Sequence, residues 1–260
     1  MVRISFIGDI SLNDNYIKLR NQGINPFESL RHILFSSDFV VGNLECMVKG
    51  NQGVNEKKRP RLETKIETLN YLKNINLSLA GLANNHIYDH LEDGFYRTTN
   101  FLKENKIAFI GASLKNDEYK NPAYFEKDGI KVVILNYVSL DTNPYPPKEI
   151  NIRVNYFKEE KVIEDIKRLR NKVDHIILYL HWGGRLEGGL YPDFEQPKIG
   201  RRLIDAGADL IIGHHSHTVQ PFEIYKGKYI FYSLGNFCFS DYWFDGEFYP
   251  MSKRRKITNV

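Results

Sequence analysis

The sequence predicts an α/β fold, and three observations carry that prediction. Short apolar runs rich in Val, Ile, Leu, Phe and Tyr alternate along the chain with longer stretches of helical period. Gly or Asn often comes directly after the apolar runs, as at strand ends. Near the C-terminus the alternation gives way to two short apolar segments around Gly227, the pattern of a β-hairpin.

Taken in order, residues 2–7 form a first strand closed by Gly8-Asp9. A helix over 26–36 separates it from a short strand over 39–41. A helix over 64–74 leads into a strand over 77–82. The next helix, 94–105, ends in a polar stretch, and the apolar strand 107–110 beyond it marks its stop. After strand 130–137 comes a helix over 156–171, where KEEKVIEDIKRLR sets Val162, Ile166 and Leu169 on one face and its charges on the other. Strand 175–180, helix 194–206 and strand 210–212 continue the alternation. Segment 221–225 and the strand at 229–232 make the hairpin.

The chain has 260 residues, 42% hydrophobic and 26% charged, a globular composition rather than a disordered or fibrous one. At this length it can bury enough apolar surface to need no disulfide or structural-metal staple. No linker rich in Pro, Gly or Ser divides it and no internal repeat occurs, so residues 1–260 read as a single domain. The proline cluster NPYPP at 143–147 reads as a surface loop or lid, and 49–61 as an irregular polar, basic stretch. Thirty-six Lys and Arg against 32 Asp and Glu leave a net charge of +4, too slight an excess to imply a nucleic-acid partner. Cys46 and Cys238 stand alone, which excludes a disulfide framework and a thiolate zinc site, and both read as small core residues. No apolar stretch reaches the ~20 residues of a membrane span, and none has the form of a signal peptide. As written, the sequence reads as cytoplasmic.

The informative residues are those at which the apolar runs stop. Asp9 closes the first run, Glu45 the second, and Asn84-Asn85-His86 the third, with Asp89 close behind. His181 ends the run IILYL, with Trp182 and Glu187 after it. DLIIG runs into His214-His215-Ser216-His217, and IFYSL into Gly235-Asn236. In α/β sheets the crevice beyond the C-terminal strand ends is where chemistry is usually placed. Carboxylates, amides and imidazoles without a thiolate suit Mn, Fe(II) or Zn as one or two bound divalent ions. Single members have duller readings, a turn for Gly-Asp or a helix cap for Asn-Asn-His. Three histidines in four residues after a buried strand are costly to desolvate without partners, so the set together points to a metal site. On an extended segment His215 and His217 share one face and His214 points away, unless the backbone turns there, and which two of the three would bind metal stays open.

The motifs GDI–S, GNLE, LANNH–YD, HWG–E and GADLIIGHHSHTVQPFEIYKGKYIFYSLGNFCF together resemble the bacterial capsule-synthesis CapA (poly-γ-glutamate synthesis) family, from the first strand to about Phe239. That family is related to calcineurin-like metallophosphoesterases, so the resemblance implies a sandwich of two β-sheets flanked by helices. It implies that Asp9 ligates one metal and that Glu45 stands where those enzymes carry a bridging aspartate. Asn85 corresponds to a metal-binding asparagine, and His86 to a histidine assisting the leaving group or oxyanion. His181 matches a lone histidine ligand, and His215 and His217 match the paired histidines. The sequence departs from the metallophosphoesterase pattern in reading Asp9-Ile10-Ser11 for Asp-x-His, and in having Glu45 for Asp. Family members often carry a membrane anchor and further C-terminal strands, against which this chain reads as short at its C-terminus.

The leading function is a metal-dependent hydrolase of an anionic ester, most simply a phosphoester, acting through metal-activated water. In that reading His86 is the general acid or oxyanion stabiliser and Asp89 orients it. Arg59 and Arg61, with Lys57 and Lys58, would form a basic rim that attracts phosphate or polyglutamate. Glu187, Trp182 and Tyr191 would shape substrate choice. The alternative is an accessory protein of capsule synthesis that binds poly-γ-glutamate without cutting it, or cleaves an amide within it. Either reading takes an anionic small molecule or polymer as partner, beside other capsule-synthesis components.

Overall fold

The apolar runs bury both faces, as strands do when a second sheet covers one side and helices the other. The computed structural model describes residues 1–116, 122–184, 187–244 and 247–249. Its principal strands are β1 (Ile4–Ser11), β2 (Phe39–Leu44), β3 (Leu79–Gly81), β4 (Ala108–Ile110), β5 (Ala123–Lys127), β6 (Ile130–Val138), β7 (His175–His181), β8 (Leu210–His214), β9 (Phe222–Tyr225), β10 (Lys228–Phe231) and β11 (Asn236–Phe239). One sheet has the order β11-β1-β2-β3-β4, and all its pairs are parallel. The other has the order β9-β10-β8-β7-β6-β5, parallel in the middle and antiparallel at both edges.

Between the sheets, Val41, Leu79 and Ile110 belong to one apolar cluster with Val132, Ile134, Ile177, Tyr179 and Ile212. Val133 and Leu135, one residue out of phase along β6, lie in a different cluster with Val162, Ile166 and Leu169 of helix α2 (Glu159–Leu169) and Leu203 and Ile204 of helix α3 (Gln196–Asp205). This two-residue alternation buries β6 on both faces. Outside the first sheet, Phe95, Phe101 and Leu102 of helix α1 (Leu91–Glu104) join the core that contains Ile10, Leu44 and Ala80. The result is two stacked sheets flanked by helices, as the resemblance implies.

Two glycines let backbone approach backbone where the strands end. A Cβ on Gly8 would lie 2.0 Å from the Gly235 carbonyl oxygen, and one on Gly213 would lie 1.9 Å from that of Tyr232. Only glycine permits either approach. The pairing of β1 with β11 and with β2 is irregular around Asp9, a bulge that re-aims the residue after Gly8.

The helices predicted over 94–105, 156–171 and 194–206 are present as α1, α2 and α3, and the C-terminal hairpin as β9 and β10. Two other expectations need correction. Instead of a helix over 26–36 there is a 3₁₀ turn at Glu28–Leu30 and one helical turn at Arg31–Leu34. The segment predicted as helix over 64–74 begins as strand, with Glu63–Thr64 paired to Met47–Val48, and becomes α-helical only at Tyr71–Asn74. Thr64 is drawn out of the helix because its hydroxyl donates to the Leu12 carbonyl at 2.6 Å. Among the described residues no helix is long and apolar enough to cross a membrane.

A candidate metal centre at the strand ends

The C-terminal ends of β1, β2, β3, β7 and β8 meet at one edge of the stacked sheets, and each delivers a polar side chain. Asp9 comes from the bulge in β1, Glu45 lies just past β2, Asn85 and His86 lie past β3, and His181 and His214 close β7 and β8. All are buried, Asp9 and Glu45 completely. Beyond His214 the chain is not extended. His215 and His217 have φ of 98° and 58°, so the backbone turns left-handed twice. His214, on the same face of β8 as Ile212, faces Asp9, and the turn beyond it, the exception the sequence reading allowed, brings His217 to the same carboxylate.

Asp9 Oδ1 accepts from Asn43 Nδ2 at 2.8 Å and faces His214 Nδ1 at 2.9 Å. Asp9 Oδ2 lies 3.3 Å from His217 Nδ1, which makes its hydrogen bond to Asn236 Oδ1 at 2.8 Å. Glu45 Oε1 is 3.7 Å from both His181 Nε2 and His217 Nε2, and Asn85 Oδ1 is 3.1 Å from His181 Nε2. One ligand atom each from Asp9, Glu45 and His181 lies within 4.8 Å of the others. His215 turns Nε2 to the Gly184 carbonyl at 2.7 Å, and its ring lies tilted against that of His181, the centroids 4.9 Å apart.

The test of fit is the set of atoms left unpartnered. Among the described residues, Asp9 Oδ2, Glu45 Oε1, His214 Nε2 and His215 Nδ1 are buried without a hydrogen bond. Orphaned carboxylate oxygens are expensive away from water, and a divalent cation is the partner that would satisfy several together. Oxygen and imidazole donors without sulfur suit Mn, Fe(II) or Zn, so the residues fit such an ion.

The electrostatics agree with a site short of positive charge. Burial opposes ionisation of Asp9, but the His214 hydrogen bond and the nearby charges of His214 and His217 outweigh it and hold the carboxyl well below its usual range. Burial, with Asp9 and Glu187 nearby, drives Glu45 well above its own. His217 is also penalised by burial, yet Glu45, Asp9 and Glu187 hold it up to about 10. Burial and the neighbouring imidazoles push His181 well down.

Next to this cluster is an acid–base pair. His86 Nδ1 is 2.6 Å from Asp89 Oδ2, which also accepts the Leu62 amide at 2.7 Å. An ionised Asp89 accepts from Nδ1–H, the tautomer that leaves His86 Nε2 for a reaction partner. Burial and the Lys58 charge lower the His86 pKa well below its ordinary value. Burial lifts Asp89 to about 7, against the pull of Lys58 and the Leu62 hydrogen bond. An unfolded aspartate titrates near 3.9, so this group's contribution to folding is complete below about pH 4 and is lost as pH rises through 7. Metal-free protein should lose stability between pH 5 and pH 8, by on the order of 2–3 kcal/mol from this group. Asp89→Asn should lose less, and urea unfolding at the two pH values measures the difference. Equal losses in both proteins would contradict the shift.

Three asparagines set the frame. Asn43 Nδ2 reaches Asp9 at 2.8 Å, Glu45 Oε2 at 3.4 Å and His181 Nδ1 at 3.3 Å, three acceptors for two hydrogens. Asn84 Nδ2 donates to the Leu44 carbonyl and approaches Asn43 Oδ1, while its own Oδ1 accepts the His86 amide. Asn236 orients His217. Sequence reading did not assign Asn43; its signal was its place two residues before Glu45 in GNLE. Ser11, where metallophosphoesterases carry histidine, donates to Asn13 Oδ1 at 2.7 Å.

The residues expected around the site divide. Glu187 Oε2 lies 3.9 Å from His217 Nε2, at the edge of the cluster. Trp182 is instead core: it is buried, its indole donates to the Tyr232 carbonyl at 3.1 Å, and it packs in the cluster with α3. Tyr191 is exposed. Arg59 and Arg61 bond within their own loop, to the carbonyls of Glu56, Lys58 and Asn55, and pair with Glu56. Cys46 and Cys238 are free and buried, and Cys46 Sγ accepts the Leu12 amide at 3.2 Å.

This geometry can be compared with known proteins. The chain is 30% identical over 243 residues to the PGA biosynthesis protein CapA of Bacillus subtilis (strain 168), covering 92% of this chain and 63% of that protein. It is 30% identical over 253 residues to the capsule biosynthesis protein CapA of Bacillus anthracis, covering 92% of this chain and 60% of that protein. The chain thus spans about 60% of the length of these curated relatives. Among solved structures it resembles a putative 5′-nucleotidase from Staphylococcus aureus in complex with alpha-ketoglutarate, with a TM-score of 0.57, 13% identity and coverage of 88% of this chain and 48% of that one. It also resembles a novel phosphatase from Mycoplasma pneumoniae, with a TM-score of 0.53, 15% identity and coverage of 90% and 72%. At such identities these likenesses establish the metallophosphoesterase-like fold alone. The model of the bacterial capsule synthesis protein family PGA_cap matches residues 3–241, and the chain belongs to that family.

Proposed function

We propose that the chain is a metal-dependent hydrolase that cleaves a phosphoester. The observation that carries this reading is the pair of orphaned, fully buried carboxylate oxygens of Asp9 and Glu45, set among imidazoles beside the His86–Asp89 pair. Asp9, Glu45, Asn85, His181, His215 and His217 would hold one or two divalent ions. His214 and Asn236 would position Asp9 and His217. When bound, the ion supplies Lewis-acid chemistry, polarising a phosphoryl oxygen and lowering the pKa of water.

The rest is the work of the chain itself. Asp89 holds His86 in one tautomer, so that His86 Nε2 can take a proton from the attacking water or return one to the leaving oxygen. Asn43 spaces Asp9, Glu45 and His181 against mutual collapse. Glu187 stands at the mouth, and Arg59 and Arg61 form an outer basic rim that draws in anions. The family, and the names of the CapA relatives, favour a second reading: an accessory of capsule synthesis that binds poly-γ-glutamate or cleaves an amide in it, with capsule-synthesis proteins as partners.

Manganese-reconstituted protein assayed with 4-nitrophenyl phosphate separates the two. Turnover that chelator abolishes and manganese restores supports the hydrolase. Metal at one or two ions per chain with no turnover of any phosphoester would move the assignment to the second reading.

A further inference from the structure

We propose that Lys58 is the anion-binding residue of this site and commits it to a terminal, dianionic phosphoryl group, that of a phosphomonoester. The inference rests on the phosphoesterase reading and narrows its substrate class.

Four basic residues stand together in sequence between Glu56 and Leu62, and the fold treats them differently. Lys57 is exposed, and Arg59 and Arg61 are tied to their own loop. Lys58 is buried, with 4% of its surface exposed. Its ammonium group has three hydrogens to donate, yet among the described residues its hydrogen bond is a single long one, 3.3 Å to the Asn143 carbonyl. Its charge acts on Glu45, Asp89 and His86, and the carboxylates of Asp89, Glu187 and Glu45 act on it in turn. A buried lysine is rarely fixed in place without a partner for its charge.

The surrounding loops hold it there. The Asn55 amide donates to the Asp89 carbonyl at 3.0 Å, and the Leu62 amide to the Asp89 carboxylate. Asn55 Nδ2 donates to the Tyr145 carbonyl at 2.8 Å. Residues 55–62 are thus anchored to Asp89 at both ends, and Asn55 and Lys58 also tie them to the NPYPP loop. Lys58 is its inward point, and two of its N–H groups are left for a ligand. An ammonium beside the reacting centre favours the ligand with more charge. A phosphomonoester presents two negative charges and unesterified oxygens, whereas a diester presents one charge and a second ester group in their place.

The test uses manganese-loaded protein, wild type against Lys58→Met and Lys58→Arg, with metal content measured on each. Inorganic phosphate binding by calorimetry is the first readout. Lys58→Met should bind phosphate at least roughly tenfold more weakly, with manganese content unchanged and Lys58→Arg intermediate. The second readout is hydrolysis. Lys58→Met should raise KM for 4-nitrophenyl phosphate by a similar factor and alter bis(4-nitrophenyl) phosphate turnover by less than about threefold.

Unchanged phosphate affinity in Lys58→Met, or wild-type protein that binds no phosphate, overturns the assignment. A Lys58 dependence seen with glutarate but not with phosphate also overturns it and makes the site one for carboxylates. Phosphate binding that depends on Lys58, with neither ester hydrolysed, keeps the anion subsite and removes the phosphoesterase reading.

Discussion

Asp9→Asn protein should fold like wild type and bind manganese at least roughly 100-fold more weakly. The substitution keeps the volume and the oxygen that faces His214, so Asn43 and His214 retain a partner in a frame of unchanged shape. It removes the anionic charge, and the atom Asp9 Oδ2 that lies buried without a hydrogen bond becomes an amide nitrogen unable to ligate. Losing partners beyond the direct ligands already costs metal sites 10- to 100-fold, so losing a charged ligand sets that range as a floor. Equilibrium dialysis with manganese, alongside circular dichroism and a thermal melt, measures it. Manganese affinity within threefold of wild type in a folded variant would mean that Asp9 is not a ligand.

His86→Ala should lower kcat on an aryl phosphate by roughly 10²–10⁴-fold while leaving manganese content unchanged. The geometry behind this is the 2.6 Å contact between His86 Nδ1 and Asp89 Oδ2, which fixes the ring and frees Nε2 for proton transfer. Asp89→Asn keeps a side chain able to accept from Leu62 but carries no charge to support an imidazolium, so it should fall between wild type and His86→Ala, at roughly 10- to 100-fold. A smaller effect on a substrate with a good leaving group than on an alkyl phosphate would identify His86 as the acid that protonates the leaving oxygen. If His86→Ala lost manganese together with activity, His86 would belong to the metal centre and not to proton transfer.

Much of the site was legible because the chemistry sits where an apolar run stops. Asp9, Glu45, Asn85, His86 and His181 each stand at or just past a strand end, so the local pattern shows which candidate residues share one edge. The residues that escaped depend on structure the pattern does not encode. Which histidines reach Asp9 stayed open, because only the left-handed turn at His215 and His217 puts His217 on the carboxylate that His214 faces from the end of β8. Lys58 looked like one of four equivalent basic residues until hydrogen bonds to Asp89 and Tyr145 closed the loop around it. Trp182 adjoins a site residue in sequence, but the two-residue alternation of β7 turns it to the opposite face, where α3 covers it.

The fold was legible in the same uneven way. Helices α1, α2 and α3 carry enough apolar residues at helical spacing to announce themselves, and the structure differs from the expectation only at their ends. The strand β11 went unread because its partner β1 lies at the other end of the chain, and parallel pairing leaves no local turn signal. The strand at Glu63–Thr64 was lost because two residues held by one threonine hydroxyl leave no periodicity to read.

The most direct measurement is anomalous diffraction at the manganese edge from crystals of the protein grown with manganese. The expected result is a peak bonded to Asp9 Oδ2, Glu45 Oε1 and an imidazole nitrogen of His181 or His217, the atoms that otherwise lie buried together at the strand ends. No peak at those atoms under saturating manganese, or manganese bound only elsewhere on the chain, would contradict the metal centre and the hydrolase built on it.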